Sequence, residues 1–260
     1  MSNYVIFLKK ELFEAAKTFK LLIMGAVCLF FGIVSPLTAR FTPEIIKWAM
    51  ESDPAMAGVD LSALMTEPTA FDSWAQFYGN VGLMGFTALV IIFSGMLSSE
   101  MRGTLKIMLS KGLSRQAAIL AKLTSAVLIW SAGFSLSALT AWGYTAHMFE
   151  GGVPNLLFAM FCLWAFGVFL LAATALAAAL TSRGFACMVA VGLLAVILNI
   201  INIAPAAGRY NPVSLAGTSM TLLTGGTSPG ELYAALAVAG IAAAVFTLLA
   251  VVSFNRRQAV

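Results

Sequence analysis

Six apolar runs, each long enough for a membrane-crossing helix, divide this chain, with polar or irregular stretches between them. They fall at residues 21–37, 78–97, 117–146, 155–180, 185–203 and 232–254. A different pattern precedes them. Over residues 4–19, Val5, Leu8, Leu12, Ala15 and Phe19 recur at helical spacing, with Lys9, Lys10, Glu14 and Lys17 on other faces. This predicts an amphipathic helix within residues 1–20, lying along the membrane surface and leading into the first span. A basic start before an apolar run also fits a cleavable signal peptide. The charged prefix is long and helical and no small-residue cleavage site follows, so the surface helix is the better reading. The expected fold is an all-α polytopic membrane protein, a single domain over residues 1–260.

The connections differ in character. Residues 39–79 read as a long acidic loop, carrying Glu44, Glu51, Asp53, Asp60, Glu67 and Asp72 against Arg40 and Lys47. Thr42-Pro43-Glu44 is a good helix start, so a short helix is expected from Pro43 to Met50. Residues 98–116 are the opposite, a basic connection that continues to Lys122. In it Leu105, Met108 and Leu109 share an apolar side, and Arg102 and Lys106 stand one turn apart. Gly112 is placed to end that short helix and Ser114 to cap the next. Brief turns are expected at 150–154 and 181–184. Residues 204–231, with Pro205, Pro212, Pro229 and several glycines, read as irregular.

Charge orients the spans. Lys9, Lys10, Lys17, Lys20, Arg102, Lys106, Lys111, Arg115, Lys122, Arg183, Arg256 and Arg257 fall on one side; only Arg40, Lys47 and Arg209 fall on the other. The latter side also takes Glu44, Glu51, Asp53, Asp60, Glu67, Asp72, Glu150 and Glu231. The positive-inside rule then puts both termini in the cytoplasm. With 60% hydrophobic residues, 10% charged residues and a mean hydropathy of +0.94, an ordinary soluble domain is excluded. The pI near 9.1 is explained by lysines and arginines beside the spans and does not point to nucleic acid.

The spans are also informative for what they lack. Every Asp, Glu, Lys and Arg can be placed in a loop or at a boundary, so the sequence offers no intramembrane charge for a proton or coupling-ion relay. There is no GxxxxGK[ST] phosphate loop, no HExxH pair and no GxSxG elbow. Cys28, Cys162 and Cys187 sit inside apolar runs and read as small buried residues, with no metal site expected. Ala172, Ala173, Ala177 and Ala178, and Gly133 with Ser137, form small-residue rows suited to helix packing more than to a transport path. Asn199 and Asn202 lie three apart in the fifth span; lining a polar path and hydrogen bonding between helices account for them equally well. His147 reads as interfacial, and Met50, Met56 and Met65 as scattered loop residues and not a copper site. Such a domain either conducts passively or draws work from another subunit, and no span shows the regular polar lining of a channel.

The six-span plan, the amphipathic helix and the basic segment together resemble the permease (membrane-spanning subunit) of a type-2 ABC exporter. The specific likeness is Glu100, Arg102-Gly103-Thr104-Leu105, Leu109, Leu113-Ser114-Arg115 and Lys122, with Asn211-Pro212 as a weaker feature. The resemblance implies that residues 101–111 form a coupling helix seated in a groove of a separate P-loop ATPase. Glu100, Arg102, Gly103, Thr104, Leu105, Lys106, Leu109, Ser114 and Arg115 would then be the ATPase-coupling residues. It further implies two ATPase copies, which bind the ATP and Mg, and a second copy of this chain or a related permease. Residues 204–231 would be an external re-entrant element, and Asn199 and Asn202 candidates for the path. The expected place is the bacterial inner membrane, among its lipids. No catalysis and no cofactor are expected in this chain. Within the family it also resembles the small permeases found with the copper-maturation apparatus of nitrous oxide reductase, which implies a sulfur- or copper-related substrate. The rival from another class is a non-transporting scaffold or sensor subunit that uses the same loop to bind a partner.

Overall fold

A computed structural model describes residues 3–52, 67–99, 115–181 and 183–257, and among these it is helical, with no strand. The helices are α1 (Asn3–Lys17), α2 (Lys20–Glu51), α3 (Ala70–Asn80), α4 (Phe86–Ser99), α5 (Arg115–Met148), α6 (Leu156–Thr181), α7 (Gly184–Asn202) and, at the end, α8 (Tyr233–Arg257). Six stretches are long and apolar enough to cross a membrane, with α3 and α4 forming one of them together.

Two expectations are corrected at the edges of the 39–79 loop. No separate helix begins at Pro43; α2 runs unbroken from Lys20 to Glu51 with Pro36 and Pro43 inside it. Each proline removes one backbone N–H, and a hydroxyl beside it bonds the turn before: Ser35 Oγ donates to Phe31 O at 2.6 Å and Thr42 Oγ1 to Thr38 O at 2.6 Å. The prolines are seven residues apart, nearly two full turns, so both interruptions fall on about the same side. At the other edge α3 starts at Ala70, eight residues before the expected second span. A capping box explains the early start: the Thr69 N–H and hydroxyl both reach the Asp72 carboxylate at 2.8 Å. Between α3 and α4 the backbone widens into a π-helical turn, Val81–Gly85.

One large cluster joins α2 to α8, and α6 lies at its centre, with most of its residues buried. Its closest neighbour is α8, while α2 and α5 form the other extensive pair. Small residues make both contacts possible. Ala172, Ala173, Ala177 and Ala178 are all buried on α6, as the packing reading expects. On α5, Gly133 lies against Cys28 of α2, and Ser137 Oγ donates to Cys28 O at 2.5 Å. Further hydroxyl and amide bonds tie the helices laterally, Ser73 to Thr145 at 2.6 Å and Asn80 to Ser35 at 2.9 Å.

Residues 204–231 are not a plain loop. They form a single turn at Pro205–Gly208 and three short 3₁₀ helices, Pro212–Leu215, Thr218–Thr224 and Pro229–Leu232. Pro212, Val213, Ser214 and Leu215 are buried against α6, α7 and α8. Asn211 fixes this entry: its Oδ1 accepts the Val213 N–H at 3.1 Å, and its Nδ2 donates to Leu198 O on α7 at 2.6 Å. Irregular backbone inside an apolar protein is tolerated where protein groups satisfy it, as here.

Two small clusters mark opposite ends. Phe7, Ala118, Ile119, Ala121 and Phe254 gather α1, the start of α5 and the end of α8; Ala39, Ala70 and Phe149 gather the other end. Lys9, Lys10, Lys17 and Lys122 lie at the first end, and Arg40, Asp72 and Glu150 at the second.

Candidate functional site

Two places stand out, a cleft in the bundle and a buried charge pair at its basic end. The cleft is an open-sided cavity of about 660 Å³ between α4, α6 and α7, to which Val213 of the 3₁₀ helix Pro212–Leu215 and the following Ala216 and Gly217 also contribute. Its walls are Leu83, Phe86, Val90, Phe166, Leu170, Phe185, Met188 and Val189, and none of its lining residues is ionisable. The polar side chains on it are Thr87 and Asn199. Gly82 and Leu83 reach it from the π-helical turn, an arrangement that recurs at functional sites because it re-aims side chains within a helix.

Asn199 is exposed and lines the cleft, and its Nδ2 donates to Ala195 O of its own helix at 2.9 Å, not to a neighbouring helix. Asn202 is half-buried and stands apart, its Oδ1 3.4 Å from where a Cβ on Gly208 would lie. The structure thus brings one of the two asparagines to the cleft and turns the other toward the α7 terminus. His147, exposed in the last turn of α5, is well placed against the negative end of that helix. Cys28, Cys162 and Cys187 are all free and buried, and no cluster of three or more His, Cys, Asp or Glu able to hold a metal occurs among the described residues.

The expected coupling residues Glu100, Arg102, Gly103, Thr104, Leu105, Lys106, Leu109 and Ser114 lie outside the described residues, as do Met56 and Met65. Arg115 is the first residue of α5.

The charge pair was not visible as such in the sequence. Glu11 of α1 is 1% exposed and Lys122 of α5 is 5% exposed, with Lys122 Nζ 3.0 Å from Glu11 Oε2. The second carboxylate oxygen, Oε1, receives Lys10 Nζ at 3.2 Å, and Lys10 also meets Glu14 at 2.7 Å. Lys122 lies within the candidate span Gln116–Met148 and not in the connection before it, and protein covers both charges. Desolvating two charges is costly, so such a pair persists only with good geometry, and removing one partner costs about 3–5 kcal/mol. One signal was available. Glu11 lies on the same helical stripe as Leu8, Leu12 and Ala15, and a carboxylate on an apolar stripe asks for a cation opposite. That stripe faces protein: Ala15 is buried and Leu12 packs on the main core, while Val5, Ile6 and Phe13 are exposed beside Lys9 and Lys17.

No protein-family model matches this chain, and neither a curated protein nor a solved structure matches it.

Proposed function

We propose that this chain is the permease subunit of an ATP-driven exporter of the type-2 ABC kind, in the bacterial inner membrane with both termini cytoplasmic. In this reading residues 98–116 dock on a P-loop ATPase present in two copies, which binds ATP and Mg. Two copies of this chain, or one with a related permease, enclose the path. The observation that supports it best is the uncharged cleft between α4 and α7. A cavity with one amide, one hydroxyl and no ionisable group offers no proton relay of its own, which supports work supplied by a second subunit. The basic segment leading into α5 is where that work enters.

The lining also narrows the substrate. It presents a bare copper ion with the Met188 thioether and no thiolate or imidazole, a poor ligand set. A neutral, largely apolar molecule suits it better, and among metal-maturation cargoes a neutral sulfur species suits it better than the metal.

The test is purification of the chain from its host in mild detergent with identification of what accompanies it. A stoichiometric P-loop ATPase is expected. Recovery without one, from membranes in which known complexes stay intact, overturns the exporter reading in favour of a scaffold or sensor subunit.

A further inference from the structure

The N-terminal helix is fastened to one neighbour and joined to the other by an unusual residue. To α5 it is held by the buried Glu11–Lys122 pair, by Tyr4 Oη donating to Thr124 Oγ1 at 2.8 Å, and by Phe7 packed with Ala118, Ile119 and Ala121. Tyr4, Phe7 and Glu11 are spaced so that they share one face of α1, and their partners span two turns of α5. These partners begin only a few residues after the 98–116 segment ends. To α2, by contrast, α1 connects through Thr18 and Phe19, and Phe19 has a φ of 58°. The left-handed region is unfavourable for a bulky aromatic residue, and a single such residue breaks the helix path between Lys17 and Lys20. Phe19 is 63% exposed, so no covering contact locks the side chain in place.

We infer that α1 is a lever carried by the foot of α5, and that Glu11 and Lys122 are positioning residues that pass displacement of α5 to α1, which delivers it to α2 by swinging about Phe19. The inference rests on the proposed function for the origin of that displacement, in the ATPase-docking segment. It commits to two mechanical statements. The α1–α5 contact is rigid because a desolvated ion pair has a narrow range of acceptable geometries, unlike a solvated one. The α1–α2 junction is the compliant point, because Thr18 and Phe19 alone interrupt the helix there and Phe19 turns the chain through a positive φ.

Spin-label distances in the full chain test both statements. Cys28, Cys162 and Cys187 are replaced by alanine, and labels are placed at Ala16 with Leu128 on α5, and at Ala16 with Leu29 on α2; all three sites are exposed. In lipid nanodiscs the Ala16–Leu128 distance should be single and narrow. Glu11→Gln and Lys122→Met should broaden it, the reversed pair E11K/K122E should restore it, and Glu11→Asp, which keeps the charge, should retain most of the order. Phe19→Gly should broaden Ala16–Leu29 alone. If Glu11→Gln leaves Ala16–Leu128 unchanged, or Phe19→Gly broadens both distances, the lever is wrong. In the complex with the co-purified ATPase, nucleotide should shift Ala16–Leu29 while Ala16–Leu128 stays fixed; equal shifts in both overturn the inference. If nucleotide moves neither distance in that complex while the Glu11 dependence holds, the transmission role is overturned and the exporter reading stands; the exporter reading itself fails if no P-loop ATPase accompanies the chain.

Discussion

Gly167 on α6 offers the most quantitative check on the packing described above. A Cβ built there would lie 2.5 Å from Nε1 and 2.6 Å from Cζ2 of Trp130, with Cε2 of the same ring also in contact. Carbon atoms in comfortable contact are about 3.5–4.0 Å apart, so a methyl group at this site requires the indole to retreat by roughly 1 Å. The ring has nowhere to go. Trp130 is 1% exposed, its Nε1 donates to Trp164 O at 3.2 Å, and its ring sits 5.2 Å from Phe134 and 5.9 Å from Phe86, centroid to centroid. Overpacking of this kind costs about 1–3 kcal/mol, and at a rigid aromatic it should fall at the upper end. For a chain of this size each kcal/mol moves Tm by about 2–4 °C, so Gly167→Ala should lower Tm by roughly 5–10 °C.

The control is Gly192→Ala. Both glycines are helical, so both substitutions gain similar backbone propensity, but a Cβ at Gly192 meets nothing within 4 Å. The difference between the two variants therefore isolates the clash with Trp130. Thermal unfolding followed by size-exclusion chromatography in detergent measures it. Adding Trp130→Leu to Gly167→Ala should recover part of the loss, giving non-additivity of about 0.5–3 kcal/mol, as contacting residues do. Equal Tm values for the two alanine variants, or strict additivity with Trp130→Leu, would refute the geometry of the α5–α6 crossing.

Three other outcomes are expected. Asn211→Ala removes the bonds to Leu198 O and Val213 N–H at a buried position, and should cost about 1–3 kcal/mol in thermal unfolding while raising proteolysis at 204–231; unchanged proteolysis would count against the anchoring role. Asn199→Leu should leave stability within about 0.5 kcal/mol, because the amide bonds only its own helix, yet alter substrate-stimulated ATPase activity of the complex; normal activity would remove Asn199 from the path. Arg102→Ala should lower that stimulated activity while the complex still assembles, and full activity would remove Arg102 from the docking surface.

The helices were legible because apolar runs of about 20 residues have few alternatives. The six-fold plan, the small-residue packing of α6 and the placement of α5 through α8 all follow from that constraint. Boundaries were harder wherever local chemistry overrode a familiar signal. Pro43 looked like a first-turn proline, and Thr42 before it looked like a cap. Instead the threonine hydroxyl bonds back to Thr38 O and the helix continues. The Thr69–Asp72 capping box was present in the sequence, but the acidic residues around it read as loop. The cleft was partly legible: Asn199 was singled out by its polarity within an apolar run. Nothing in the sequence announces that Val81–Gly85 takes a π-helical turn, so Gly82 and Thr87 had no reason to be associated with it.

Glu11 shows why the remainder stayed hidden. A membrane chain can lay an apolar stripe either on lipid or on protein, and periodicity is identical in the two cases. Leu8, Leu12 and Ala15 read as lipid-facing under the first choice, and Glu11 beside them then seems merely tolerated at the headgroup level. Under the second choice the same carboxylate needs a buried cation, and Lys122 is 111 positions away, beyond the reach of any local pattern. The two choices differ in how many routes connect the foot of α5 to α2. With α1 on lipid, α5 meets α2 only through the packed faces the two helices share. With α1 held by Lys122, there is a second route from α5 to α2, besides the direct one in which the Cys28 carbonyl accepts Ser137 of α5. Helices α2 and α5 are then linked both along their shared packed face, which includes Ser137, and through α1 at Glu11.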